Sequence, residues 1–308
     1  MDSTNKTGKK AGGEGLAKSK SLTAFTLIIN AYFRVLHDDG GEDLGEGFAK
    51  SASLTDFTLT IGSKYGYISN ALRNVLGEGL AKSKSLTAFT LTINNKRGDL
   101  YEEWGKGLSE GLTKNWAKAV GEGLAESKLL TAFTLTINNK RGSYNGDWSK
   151  AVGEGLAKSK SLTAFTLTIN DEHGCYHRDW AKALGEGLAE SPSLIAFTVT
   201  IDNEHDGFYK QDWVKAVGEG LAKSKSLTAF TLTINNEHGV YDQDWAKALG
   251  EGLAESPSLI AFTLTISNEH GFHKQDWAKA VGEGLAKSKS LTAFTLTINN
   301  EHGFYDQD

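Results

Sequence analysis

The chain has 308 residues, 39% hydrophobic and 23% charged, with a formal net charge of −5; that balance supplies a core and its solvation, and excludes a disordered chain. A single cysteine, Cys175, excludes an intrachain disulfide, and no run approaches the roughly 18 apolar residues that span a bilayer. The polar start, Met1 to Lys6, has no apolar signal core, so a reducing, cytoplasmic location is expected. Charge is unevenly spread: residues 1–160 carry 22 Lys/Arg against 17 Asp/Glu, and residues 161–308 carry 11 against 21, giving a basic half and an acidic half.

Residues 1–12 read as a polar N-terminal segment, and residues 13–308 as one array of about nine units. The segment Leu-Thr-Ala-Phe-Thr-Leu-Thr-Ile-Asn, or its equivalent, begins at Leu22, Leu54, Leu86, Leu130, Leu162, Leu194, Leu227, Leu259 and Leu291. The intervals are 32, 32, 44, 32, 32, 33, 32 and 32 residues. Such a fixed period marks an architecture in which each unit buries its apolar face only against its neighbours.

The array opens at Gly13-Glu14-Gly15, midway through a helix pattern. In the third unit Phe89, Leu91 and Ile93 alternate with Thr90 and Thr92, the period-two pattern of a strand with one face turned to the core. Thr90, Thr92, Thr134, Thr136, Thr166 and Thr168 then fall on the other face, the inner one of a solenoid whose helices lie outside. In the eighth unit Trp245, Ala248, Leu249, Gly252 and Leu253 stand at the spacing of a helical apolar stripe. Asp244 is placed to cap that helix, and Ser256-Pro257 to stop it.

Every helix contains Gly-Glu-Gly, which costs about 1 kcal/mol per glycine relative to alanine. Close approach of stacked helices accounts for that expense. A phosphate-binding loop would have to follow a strand and open a helix, and this motif lies mid-helix.

One interval is irregular. Between Leu86 and Leu130, 12 extra residues run from Trp104 to Asn115. Trp104, Leu108 and Leu112 are spaced by four, as are Trp116, Val120 and Leu124, but 12 residues at about 100° each rotate the second stripe by about 120° from the first. A bulge or break is expected there, projecting Tyr101, Glu102, Glu103 and Trp104 beside Lys96 and Arg97 as candidate partner contacts. Tyr144, Tyr176, Tyr209 and Tyr241, each four residues before a tryptophan, are further candidates on the strand-to-helix edge.

Trp148, Trp180, Trp213, Trp245 and Trp277 have helix-stripe spacing and are assigned to the core. His173, His205, His238, His270 and His302 are copies of one position, whereas a zinc site needs converging ligands, so neither metal nor cofactor is expected. Catalysis is not expected either, because a triad requires unlike residues converging on one atom. Cys175, between His173 and His177, is the one nucleophile worth naming.

Leu86-x-x-Phe89-x-Leu91-x-x-Asn94 resembles the leucine-rich-repeat consensus, and the long helical unit is similar to the ribonuclease-inhibitor-like class, as in the repeat arm of NACHT/NOD-like receptors. The resemblance implies an α/β leucine-rich-repeat solenoid, with a curved parallel sheet inside and helices outside. It also implies that Asn30, Asn94, Asn138, Asn170, Asn235 and Asn299 form a buried ladder to neighbouring backbone. Gly62, Asp202 and Ser267 at the same position would then be weaker seams. Two features depart from the family: the position two after the asparagine is polar, as in Lys96, Lys140 and Glu237, and the period is long. No Gly-x-x-x-x-Gly-Lys-Ser/Thr loop occurs.

These readings converge on a non-enzymatic protein-binding scaffold, of the kind that forms the sensor arm of an innate-immune receptor, with a macromolecular partner, no nucleic acid and no membrane. The rival is a structural array that associates with itself, since both ends look raw: the last unit stops at Asp308 where a tryptophan would follow, as in a fragment lacking caps. A remote rival is ice-type surface binding, because Thr-x-Thr recurs in eight strands; curvature of the sheet works against it.

Overall fold

A computed structural model of the chain describes residues 13–31, 39–63, 71–95, 117–139, 147–171, 179–203, 212–236, 243–268 and 276–300. Nine strands form one all-parallel sheet in chain order: β1 (Ala24–Ala31), β2 (Asp56–Ser63), β3 (Ala88–Asn95), β4 (Ala132–Asn139), β5 (Ala164–Asp171), β6 (Ala196–Asn203), β7 (Ala229–Asn236), β8 (Ala261–Asn268) and β9 (Ala293–Asn300). Helices span Asp39–Lys50, Ala71–Lys82, Asp147–Lys158, Asp179–Glu190, Asp212–Lys223, Gln243–Glu255 and Asp276–Lys287. Residues 13–18 and 117–126 are helical as well. The expected α/β repeat solenoid of about nine units is the observed architecture.

Strict alternation builds the core. Phe89, Leu91 and Ile93 are buried, and their counterparts pair residue for residue with the next strand. The phenylalanines form a continuous column from Phe25 to Phe294, with neighbouring ring centroids 5.4–6.0 Å apart and near-parallel planes. Each buried ring contributes about 1.5–3 kcal/mol through burial alone. Trp148, Trp213, Trp245 and Trp277 close the core from the helix side, as their spacing predicts.

The glycines are explained by helix packing. A Cβ on Gly218 would lie 2.5 Å from the Ala248 carbonyl oxygen of the following helix, and one on Gly252 would lie 2.5 Å from the Gly218 carbonyl oxygen of the preceding helix. The same reciprocal contact recurs at Gly153 with Gly187 and at Gly250 with Gly284. Backbone therefore rests on backbone, and the propensity penalty is offset by an approach no side chain would permit.

Helix termination differs from expectation in one respect. Proline follows the helices ending at Glu190 and Glu255, but those ending at Lys50, Lys82, Lys158, Lys223 and Lys287 stop without one. The common element is serine: the Ser51 hydroxyl accepts the Leu54 N–H at 3.3 Å, and Ser83, Ser159, Ser224 and Ser256 repeat the bond with their own leucines. Asp244 lies inside the first turn of its helix, which starts at Gln243.

The asparagine ladder is a correction. Alternation continues unbroken past Ile93, so Asn94 shares the threonine face and is half-buried. Among the described residues its bonds are to side chains: Asn138 Nδ2 donates to Asn94 Oδ1, and Asn170 Nδ2 to Asn138 Oδ1, both at 2.5 Å. The ladder continues through Ser267 but meets no side chain at Gly62. Asn299 donates to the Ser267 hydroxyl at 3.1 Å, and the Asn30 carboxamide occupies the space that a side chain on Gly62 would need.

The long interval leaves the sheet undisturbed. β4 pairs with β3 in the register of every other joint, Ala88 with Ala132 and Asn94 with Asn138. The helix fit there is uneven: a Cβ on Gly77 would stand 3.3 Å from the Ala119 Cβ, but one on Gly123 would stand 2.9 Å from the Leu80 Cβ and 3.0 Å from the Leu76 carbonyl oxygen. The expected bulge at 104–115 lies outside the described residues.

Candidate binding face

One face of the sheet is packed under helices; the other carries alanine, threonine, threonine and asparagine in successive outward positions of β3, β4, β5, β7 and β9, with one or two of the four replaced in the other strands. Parallel pairing without slip converts this into columns across the strands. Thr60, Thr92, Thr136, Thr168, Thr200 and Thr233 form one of them and are half-exposed. At a strand spacing of about 4.8 Å, the face extends about 40 Å. Thr90, Thr92, Thr134, Thr136, Thr166 and Thr168 all lie on it, where the alternation puts them.

Electrostatically the face is quiet. Its outward positions hold two charged residues, Asp56 and Asp202, and no lysine or arginine among the described residues. Glu and Lys are instead displayed on the helices, in exposed pairs such as Lys118–Glu122 at 3.7 Å, where solvent leaves an ion pair worth little. The first strand interrupts the threonine pattern with Ile28, which is 61% exposed.

The N-terminal rim of the face is reinforced by hydroxyls. Thr55, Thr87, Thr131 and Thr163 each donate to the carbonyl of the equivalent residue one unit earlier, at 3.1–3.2 Å. The same carbonyl accepts two backbone N–H groups, as Thr23 does from Thr55 and Asp56. Ile195 and Ile260 replace this threonine in two units and leave exposed apolar points on the rim. Behind it, Ser53 donates to the Ser19 and Leu22 carbonyls, and Ser193 to those of Ser159 and Leu162. The Ser-x-Ser-Leu motif thus has two uses, capping within a unit and bonding between units. Its near-perfect recurrence in the sequence was the available signal for both.

The other candidate contacts, Lys96, Arg97, Tyr101, Glu102, Glu103, Trp104, Tyr144, Tyr176, Tyr209 and Tyr241, lie outside the described residues, as do His173, His177 and Cys175. The structure therefore brings the threonines together and does not address the strand-to-helix edge. Among the described residues no helix is long and apolar enough to cross a membrane.

No family model matches the chain, and none of the curated proteins does. Among solved structures, a Bacteroides fragilis protein determined as a structural-genomics target is similar at 11% identity and a TM-score of 0.39, covering 89% of this chain and 75% of its own.

Proposed function

We propose that the chain is a non-enzymatic recognition scaffold that holds a macromolecular partner against the open face of its sheet. One observation carries the reading: nine strands in continuous register leave a face about 40 Å long, half-exposed, hydroxyl-rich and almost uncharged. The absence of Lys and Arg from that face speaks for a protein partner over nucleic acid, which would require phosphate neutralisation. Repetition of one residue set speaks against catalysis and against a cofactor, since both require unlike groups converging on one point.

A finer version of the proposal is a cytoplasmic leucine-rich-repeat arm resembling that of NOD-like receptors. The Leu86-x-x-Phe89-x-Leu91-x-x-Asn94 spacing supports it; the placement of Asn94 on the threonine face does not. The ice-type alternative is the weaker one, because the curvature expected of a leucine-rich-repeat sheet would meet a planar lattice poorly.

The test is capture from native lysate with the wild-type chain and with T136K/T168K/T200K, checked for unchanged circular dichroism. A partner held by the wild type and lost by the variant is the expected result. Equal retention by both would move recognition off the sheet.

A further inference from the structure

We propose that this chain assembles head to tail with copies of itself, the last unit of one copy docking on the first unit of the next. The inference is independent of what the sheet face binds.

Two observations identify a second copy as the occupant. The first is the bare end of the core: Phe294, Leu296 and Ile298 are 37%, 41% and 42% exposed, against 1%, 0% and 0% for Phe262, Leu264 and Ile266 one unit earlier. These residues sit on β9, an edge strand whose outer side is unpaired among the described residues. At the opposite end Phe25, Leu27 and Ile29 of β1 are partly buried and match them position for position.

The second is hydrogen-bond polarity. In every side-chain ladder the donor belongs to the later unit and the acceptor to the earlier: Ser53 to Ser19, Thr55 to Thr23, Asn138 to Asn94. The first unit therefore presents donors, Ser21 and Thr23, both exposed and met by no acceptor of an earlier unit among the described residues. The last unit presents the corresponding acceptors, the carbonyls of Ser288, Leu291 and Thr292, with no later donor among the described residues. Each end supplies what the other lacks.

Because the contact joins two different surfaces, it does not close on itself as a two-fold dimer would, and it propagates.

The test uses two end-blocked variants of the full chain. Gly282 and Gly15 have nothing within 4 Å of an added Cβ. By the repeat relation, Gly282 is where a following helix would rest, and Gly15 is what would rest on a preceding one. G282L and G15L are expected to fold as the wild type does by circular dichroism. In sedimentation at rising concentration, the wild type is expected to grow through whole multiples of the protomer mass, while each variant alone stays at one. An equimolar mixture of the two variants is expected to stop at two, because one free end remains on each partner. L296K, which charges the bare core end without touching a glycine, is expected to remain at one. A wild type that is monomeric throughout, variants that associate as it does, or a mixture that stays at one or grows past two would each overturn the proposal.

Discussion

Gly252 lies against the backbone of Gly218 so closely that a methyl group on it would stand 2.5 Å from the Gly218 carbonyl oxygen and 2.7 Å from its Cα. Two effects oppose each other at this point. Alanine is the better helix former by about 1 kcal/mol, but the clash is with backbone, which has no rotamer to move, and overpacking costs about 1–3 kcal/mol. G252A is expected to lower stability in urea denaturation. G282A, where the same methyl meets open space, is expected to raise it by up to about 1 kcal/mol. Shifts of the same sign in both would contradict the packing explanation.

The joint between β3 and β4 lacks one of the serine bonds. Leu129 stands where Ser53, Ser85, Ser161 and Ser193 reach back to the preceding unit, and it is 41% exposed. L129S is expected to stabilise the chain by about 0.5–1.5 kcal/mol, read as a higher denaturation midpoint with an unchanged slope. An unaltered midpoint would mean that the hydroxyl finds no acceptor at this joint.

Excision of residues 104–115 is expected to preserve the fold, because β3 and β4 already pair in the common register and Thr131 N–H reaches the Thr87 carbonyl at 2.9 Å, as in regular joints. Far-UV circular dichroism checks the fold. If Tyr101 and Trp104 belong to a partner's footprint, the same excision weakens capture of that partner.

Removal of one complete unit, Thr163 to Leu194, joins Leu162 to Ile195 and brings β6 to the position of β5. Since Phe197, Val199 and Ile201 can meet Phe133, Leu135 and Ile137 as Phe165, Leu167 and Ile169 do, a shorter cooperative solenoid is expected. Loss of the folded signal would refute the interchangeability of the units.

The strands, their inward phenylalanines and the tryptophan stripe were legible because each follows from a single period, two or 3.6. The purpose of Gly-Glu-Gly was legible because its cost demands a close contact. The orientation of Asn94 was not, for a specific reason: family resemblance assigned it to the core while the alternation from Phe89 already assigned it to the threonine face. The bonds of Ser53 were missed because recurrence of Ser-x-Ser-Leu marks the serine but not its partners, carbonyls 31 and 34 residues earlier, which only the stacked geometry brings near.

The parallel sheet has a mechanical consequence. Its interstrand hydrogen bonds run along the stacking direction, so tension applied between the first and last units passes through the joints in series. Each joint bears the whole force, and strength is set by the weakest of them. The joints differ in what they forgo: the one between β3 and β4 lacks the serine bond at Leu129, and those entering β6 and β8 lack the threonine hydroxyl bond, replaced by Ile195 and Ile260.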